Sequence, residues 1–322
     1  IHKALEASVR ETGRTYFERN EANPLEEDLI IVDEASMLDI SLFYHLLCAL
    51  KDGARLILVG DIDQLPPVGA GEPLKDLMNW GYVPIVRLKR IFRQEEGSGI
   101  VENAALIRKG EMCVPDEAGE FRIIYAADDE DAYRIVMDLC RELNYGNEEN
   151  KMLLQVLSPM YRGVCGVDHL NKSLQEMIHG EKVPDGMKFF PGDKVMQTRN
   201  DYEKGIYNGD VGTVWTATPQ KVFVRYFDKE VVYEGEERFD LRLAYAVTVH
   251  KSQGSEYETV IFILRPSQHN MLQRNLLYTG VTRARKNTIL VTAPDALRRA
   301  LAIQHTGNRY SLFLPFLNHE AL

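Results

Sequence analysis

Apolar residues in this chain gather in short runs that end abruptly in charge. Leu29-Ile30-Ile31-Val32 runs into Asp33-Glu34, and Leu56-Ile57-Leu58-Val59 runs into Gly60-Asp61. Unbroken apolar runs of this length predict strands buried on both faces, with their polar ends at the carboxyl edge of a parallel sheet. Between them, Ile40 to Leu50 carries apolar residues at helical spacing, so strand, helix and strand predict a right-handed parallel unit. A third buried strand is expected at Val83 to Leu88. The alternation continues with a helix from Glu95 to Gly110, a strand from Gly119 to Tyr125, a helix from Asp128 to Leu143, a strand from Leu153 to Ser158 and a helix from Val167 to Ile178. From Met187 to Leu241 the texture changes to short β-rich runs separated by turns such as Pro191-Gly192-Asp193 and Asn208-Gly209-Asp210, the spacing of a small barrel. Leu243 to Val249 then resumes a buried strand, a helix follows through Leu276 to Arg285, and Thr288 to Thr292 is the last apolar strand. At the other end, Ile1 to Ala7 predicts a helix with no cap before it, which reads as a cut end. Ser8 to Arg19 fits either a β-hairpin turning at Gly13 or a plain surface loop.

Composition narrows the class. The chain has 322 residues, 45% hydrophobic and 27% charged, enough for a large core and at least two domains of an ordinary soluble protein. No run approaches the roughly 18 apolar residues of a membrane span and no signal peptide is evident, so the expectation is a cytoplasmic protein with no membrane partner. Cys48, Cys113, Cys140 and Cys165 are far apart and form no CxxC pair, which points to reduced, mostly packed thiols. The net charge of −10 argues against indiscriminate nucleic-acid binding by the whole surface but leaves room for a local basic groove. Acids crowd 111–149, where they suit an exposed helix face with its acidic start toward the dipole better than a metal site. Cations dominate after residue 246.

Candidate chemistry sits at the strand ends. In nucleotide hydrolases an aspartate at the position of Asp33 holds Mg²⁺ and a following glutamate, here Glu34, polarises the attacking water. The parallel unit brings Gln64 to the neighbouring strand end, where an amide can donate to a phosphate and accept from water. Arg93 offers a guanidinium suited to phosphate oxygens. Arg162, Gly163 and the start of the following helix are expected to form a phosphate cradle. Polar side chains of every hydrogen-bonding kind crowd the nine positions from Thr248 to Glu256 at another strand end, and Thr282 and Arg283 are expected to face back across the cleft from a helix.

Together these residues spell a family. VDEAS at 32–36, VGDIDQLPPVG at 59–69, IFRQ at 91–94, SPMYRG at 158–163, GDKVMQTRN at 192–200, YNGDVGTV at 207–214, AVTVHKSQGSE at 246–256 and LLYTGVTRAR at 276–285 occur in order. The chain resembles the RecD-like DNA helicases of superfamily 1B, the exodeoxyribonuclease V alpha subunit type, over essentially its whole length. The resemblance implies an α/β fold with two RecA-like P-loop NTPase motor domains and a small SH3-like barrel inserted in the second. It places the remainder of the first motor domain at 1–88, with the possible hairpin at 8–19. The second motor domain would occupy 89–186 and 242–322, and the barrel 187–241. It also implies ATP and Mg²⁺ in a cleft, single-stranded DNA or single-strand/duplex junctions as partner, and 5′ to 3′ movement. Residue by residue, it makes Asp33 the metal ligand and Glu34, Gln64, Arg93 and Arg283 the catalytic set, with Arg283 an arginine finger. Asp61, Gln94, Gly254 and Glu256 would contact the nucleotide, and Pro66, Pro67, Arg162, Asn208, Thr248 and His250 would line the DNA track.

One element of the family pattern is not found in these residues, the GxxxxGK[ST] loop whose amides and lysine hold the phosphates. The expectation is therefore a C-terminal portion of a larger helicase, inactive in hydrolysis on its own, with repair or recombination partners engaged through a preceding region. Other readings are a binding-only module that holds DNA or a partner without turnover, and the helicase part of a conjugative relaxase.

Overall fold

In the computed structural model, which describes residues 1–9, 15–88, 97–180, 187–304 and 313–318, the chain divides into two units. One comprises Ile1–Arg90 with Thr306–Leu322, the other Ile91–His305. In the first, Ala7–Val9 (β1) and Thr15–Phe17 (β2) form an antiparallel hairpin with Ala7 opposite Phe17; residues 10–14, with Gly13, lie outside the described residues. The expected helix over Ile1 to Ala7 does not form. Leu5 is fully buried and Glu6 takes a left-handed φ of 51°, so the chain turns there and enters β1.

Leu29–Val32 (β3), the helix Ile40–Cys48 (α1) and Arg55–Leu58 (β4) make the expected unit, with β3 and β4 parallel and Val32 opposite Leu58. Asp39 caps α1 by accepting from the Leu42 amide at 2.8 Å, the substitution for a missing helical partner that a short acid provides. The strands are not buried on both faces, however. Leu29 and Ile31 are 48% and 61% exposed and Ile57 46%, while Val32 is 5% exposed. Among the described residues β3 and β4 pair only with each other. Phe43 and Leu46 of α1, Leu74 and Leu77 of Pro73–Trp80 (α2), and Phe313 of the C-terminal helix Phe313–Leu317 join Val32 in a single core. The expected strand at Val83 to Leu88 is likewise absent; Val86 and Leu88 are nearly fully exposed, because an apolar run becomes a strand only where a neighbour accepts its backbone hydrogen bonds.

The second unit contains the helices Gly99–Lys109 (α3), Asp129–Glu142 (α4), Glu148–Leu153 (α5), Val167–His179 (α6), Arg274–Val281 (α7) and Pro294–Ala302 (α8). Its main sheet is built from Phe121–Tyr125 (β5) and Leu154–Ser158 (β6), with Ala246–Thr248, Tyr257–Leu264 and Ala284–Thr292 from later in the chain. Between them come Lys194–Gln197 (β7), Val211–Ala217 (β8), Lys221–Arg225 (β9), Glu230–Glu234 (β10) and Leu241–Leu243 (β11), which makes the later three β12, β13 and β14. The parallel order is β12-β6-β13-β14-β5. The central strand β13 has no counterpart in the reading of the sequence, since its polar start at Tyr257-Glu258-Thr259 masks a run, Val260 to Leu264, that is completely buried. Helix α7 lies so close to it that a Cβ on Gly280 would fall 2.5 Å from the Phe262 ring.

Strands β7 to β11 form an antiparallel sheet in the order β10-β9-β8-β7-β11 around Val195, Val214, Val224, Tyr233 and Leu241. Two adjacent buried charges join it to the parallel sheet. Asp193 accepts from His179 Nε2 at 2.8 Å, Gln175 Nε2 at 2.5 Å, the Tyr245 hydroxyl at 2.8 Å and the Phe190 amide at 2.7 Å. Lys194 Nζ turns the other way, donating to Leu154 O at 3.2 Å and Gln155 Oε1 at 2.9 Å. A buried charge is tolerated only when hydrogen-bonded in this way, so the register of the first antiparallel strand is tied to β6, α6 and the approach to β12.

Candidate functional site

In the first unit the two strand ends do meet. Ala35 N donates to Val59 O at 2.8 Å and Val59 N to Val32 O at 2.8 Å, so the chain after β3 is laced to the chain after β4. Asp33 is exposed at this edge, its Oδ1 accepting from the Glu34 amide at 2.8 Å. Glu34 adopts φ 52° and ψ 37°, a left-handed conformation that few non-glycine residues occupy and that clusters at functional sites. A short 3₁₀ turn, Ala35–Met37, follows directly.

On the β4 side, Gly60 is pressed against that turn: a Cβ there would lie 2.8 Å from Ser36 N and 2.9 Å from Leu74 Cδ2. Asp61 Oδ1 accepts from Asp63 N at 3.0 Å and its carbonyl from Gln64 N at 3.2 Å, which folds Asp61–Gln64 into a tight turn. Gln64 and Pro66 then line one pocket with Ala35, Ser36, Glu72 and Lys75. The parallel unit thus brings Gln64 to the segment that Glu34 begins. Pro67 is buried behind it. Ser36, whose hydroxyl is buried without a hydrogen-bond partner among the described residues, carried no signal in the sequence beyond its place after the acids.

In the second unit, β12 delivers Thr248 to a 3₁₀ turn, Val249–Ser252, which its hydroxyl caps by accepting from Lys251 N at 3.3 Å. His250 is half-buried and burial lowers its pKa. Lys251 Nζ reaches the Asn208 side-chain carbonyl at 2.5 Å, so the Asn208-Gly209-Asp210 turn of the antiparallel sheet stands beside Thr248 and His250. Gly254 takes a φ of 75°, and Glu256 pairs with Arg285 Nε at 2.7 Å.

Arg283 is not on a helix face directed outward. Helix α7 ends at Val281, and the Arg283 side chain is 2% exposed, with Nε donating to Thr279 O at 3.1 Å and Nη1 to Ser255 O at 3.2 Å. It thereby ties the end of α7 to the loop holding Gly254 and Glu256. Arg93 and Gln94 lie outside the described residues.

The phosphate cradle expected at the start of α6 does not form. Val167 N donates to Met160 O at 2.9 Å and Asp168 N to Tyr161 O at 3.0 Å, so the first amides of the helix are used by the chain's own carbonyls. Gly166 allows this fold-back: a Cβ there would lie 2.5 Å from the Arg162 carbonyl. Arg162 itself remains exposed. Among the described residues no group of histidine, cysteine and acid side chains is gathered as a closed metal cage, and no helix is long and apolar enough to cross a membrane. The cysteines are free thiols; Cys113, Cys140 and Cys165 are buried, which pushes each up to about 12.

Comparison with known proteins matches three family models along the chain: an AAA domain over residues 1–122, the SH3 domain of ATP-dependent RecD-like DNA helicases over 170–226, and a UvrD-like helicase C-terminal domain over 243–291. The ATP-dependent RecD2 DNA helicase of Deinococcus radiodurans is 37% identical over 304 residues, covering 93% of this chain and 41% of that protein. The RecBCD enzyme subunit RecD of Mycolicibacterium smegmatis is 33% identical over 331 residues, covering 97% of this chain and 58% of the relative. The chain thus spans about half the length of these curated relatives. Among solved structures, the Bacteroides Pif1 helicase in complex with ADP-AlF3 and single-stranded DNA superposes with a TM-score of 0.55 at 20% identity, covering 99% of this chain and 82% of the other. A Pif1 structure describing unwinding at forked duplex DNA gives 0.54 at 20% identity, covering 90% and 76%. The fold is accordingly α/β, with RecA-like helicase domains and an SH3-like domain.

Proposed function

The chain belongs to the RecD-like DNA helicases, and from that premise we propose that it is the part of an ATP-dependent helicase that moves 5′ to 3′ along single-stranded DNA. In this reading residues 1–88 belong to one motor domain, 89–186 and 242–322 to the second, and 187–241 form the SH3-like insertion. The observation that carries it is the pairing of β3 with β4, which puts Gln64 in one pocket with the turn that begins at the left-handed Glu34. A single exposed carboxylate at a strand end suits Mg²⁺, which keeps most of its waters and takes only one or two protein oxygens. Asp33 would hold it, and the ion when bound supplies charge neutralisation to the phosphates. Glu34 orients the attacking water and Gln64 reports on the terminal phosphate. Arg93 and Arg283 stabilise developing charge, and Asp61, Gln94, Gly254 and Glu256 complete the contacts to nucleotide. Pro66, Pro67, Arg162, Asn208, Thr248 and His250 serve the DNA strand. Repair or recombination proteins are the expected partners of the whole protein.

These 322 residues contain no GxxxxGK[ST] loop, and positioning carries most of the catalysis of phosphoryl transfer. By themselves they therefore bind single-stranded DNA without turnover. The test is steady-state ATP hydrolysis with and without single-stranded DNA, beside a Glu34→Gln control. Hydrolysis no greater than the control is expected, whereas a longer polypeptide that includes the loop shows DNA-stimulated hydrolysis that Glu34→Gln abolishes. Hydrolysis by the 322 residues that disappears in the control would overturn the reading.

A further inference from the structure

Ser36 is 9% exposed, and its hydroxyl oxygen is buried without a hydrogen-bond partner among the described residues. A buried hydroxyl left unpaired destabilises a fold, and alanine would fill almost the same space with nothing to satisfy. The backbone beneath it is fixed. Met37 N donates to Glu34 O at 3.0 Å and Leu38 N to Ala35 O at 3.2 Å, which closes the turn around Ser36. Ala35 N is bonded to Val59 O at 2.8 Å, and Gly60 stands so near the Ser36 amide that a Cβ on the glycine would lie 2.8 Å from it. The hydroxyl is therefore carried on a rigid turn just after Glu34.

Ser36 lines the same pocket as the loop after β4. Four of the lining residues have polar side chains: Ser36, Gln64, Glu72 and Lys75. Lys75 Nζ pairs with Glu72 Oε2 at 3.4 Å, and the rest of the lining is apolar. Gln64 remains as the group of matching chemistry. Its backbone is held as well, its amide donating to Asp61 O at 3.2 Å, so a change at Gln64 is a change of side-chain rotamer. A glutamine side chain has two unlike ends, a carbonyl that only accepts and an amino group that only donates. A phosphate oxygen accepts, so a glutamine that reports on it must present the amino end, and a donor must hold the carbonyl end. A hydroxyl is the smallest neutral side-chain group that does this.

We propose that Ser36 is a positioning residue for Gln64: its hydroxyl donates to Gln64 Oε1 and thereby directs Nε2 to the terminal phosphate. The proposal rests on the reading that this chain is part of an ATP-driven motor. The bond is made when Gln64 turns toward the phosphate, which gives a use to a hydroxyl that is otherwise left unpaired. It joins the turn that begins at Glu34 to the loop that runs on through Pro66 and Pro67. The acid that orients water and the loop that serves the DNA strand then respond together when the terminal phosphate leaves. Ser36 itself touches neither nucleotide nor DNA.

The experiment is a double-mutant cycle on DNA-stimulated ATP hydrolysis in the longer polypeptide that carries the phosphate loop, with Ser36→Ala, Gln64→Ala and the two combined. Ser36→Ala is expected to lower kcat roughly tenfold while KM for ATP changes by less than about twofold, since the lost bond orients the sensor and does not bind the nucleotide. In the Gln64→Ala background the same substitution is expected to change kcat by less than about twofold. The 322-residue chain carrying Ser36→Ala is expected to melt at the temperature of the parent or up to about 4 °C higher, because an unpaired hydroxyl is removed. A melt lower than the parent's, or a loss of kcat as large beside Gln64→Ala as without it, overturns the assignment: the hydroxyl then supports the fold or acts through another group. An unchanged kcat in Ser36→Ala overturns it too. Hydrolysis in the longer polypeptide that survives Glu34→Gln overturns the motor reading and the proposal with it, whereas failure of the cycle alone leaves the motor reading standing.

Discussion

Lys194 Nζ donates to Gln155 Oε1 at 2.9 Å in the interior of the second unit, where neither residue touches solvent. The ammonium also lies 5.7 Å from the centre of the Tyr145 ring and 5.6 Å from that of Tyr257, and burial brings its pKa down to about 7. The folded value is below the ordinary value of 10.5, so between the two the unfolded chain binds more protons than the folded one. Stability from this group therefore rises with pH from about 7 upward.

Lys194→Met removes that dependence. Urea unfolding at neutral pH and at mildly alkaline pH is expected to show the parent gaining on the variant as pH rises. Keeping below the range in which exposed tyrosines ionise isolates the lysine. A difference in unfolding free energy that is flat with pH, or that shrinks in the parent's disfavour, would show that the ammonium is not buried as described.

Glu34 pays for its left-handed backbone, since a non-glycine residue in that region costs on the order of 1 kcal/mol or more. Glu34→Gly is expected to raise stability by roughly 0.5–1 kcal/mol, while Glu34→Gln leaves it unchanged and Glu34→Val lowers it. Both Gly and Gln should abolish hydrolysis in the longer polypeptide carrying the phosphate loop. Chemical denaturation of the three variants checks the first half, and a Glu34→Gly variant less stable than Glu34→Gln would contradict the strain.

Gly60 and Gly166 are places where no side chain fits. A methyl at Gly60 would force the β4 end away from Ser36 and Leu74, and one at Gly166 would strike the Tyr161 and Arg162 carbonyls. Each Ala variant is expected to lose about 1–3 kcal/mol. Gly53→Ala, where nothing lies within 4 Å but φ is 82°, should lose only the backbone cost of about 1 kcal/mol. Thermal melts that rank Gly53→Ala as the most damaging of the three would refute the packing argument.

The hairpin of β1 and β2 is fixed at its base by Phe17, which packs on His45 with ring centres 4.7 Å apart, and by the Arg19–Glu6 ion pair at 3.0 Å. Replacing residues 10–14 by a two-residue turn should leave that base intact. In the longer polypeptide the replacement is expected to abolish unwinding of forked DNA while DNA-stimulated hydrolysis continues, as a strand-separating wedge requires. Equal loss of both activities would make the hairpin a structural element.

Local chemistry made much of this protein legible without coordinates. Apolar runs ending in charge marked β3 and β4, helical spacing marked α1, the acidic start at Asp128 marked α4, which that residue does cap, and the spacing of short runs after Met187 marked the antiparallel sheet. The carboxylate pair at the end of β3 and the amide after β4 followed from the parallel unit, because a strand, helix and strand have one way of pairing. What tertiary structure alone decided depends on residues far apart in the chain. Four apolar residues in a row do not say which face will be covered, and Leu29 and Ile31 are exposed because α1 and α2 lie on one side only. Arg283 reads as a helix residue facing back across the cleft, whereas its guanidinium is buried and donates to the carbonyls of Thr279 and of Ser255, 28 positions earlier. Asp193 reads as a turn residue and Lys194 as the start of a short β run until His179 and Gln155 bury them. Hydrogen-bond partners for a charge are supplied by whichever elements pack against it, and that choice belongs to the folded chain as a whole.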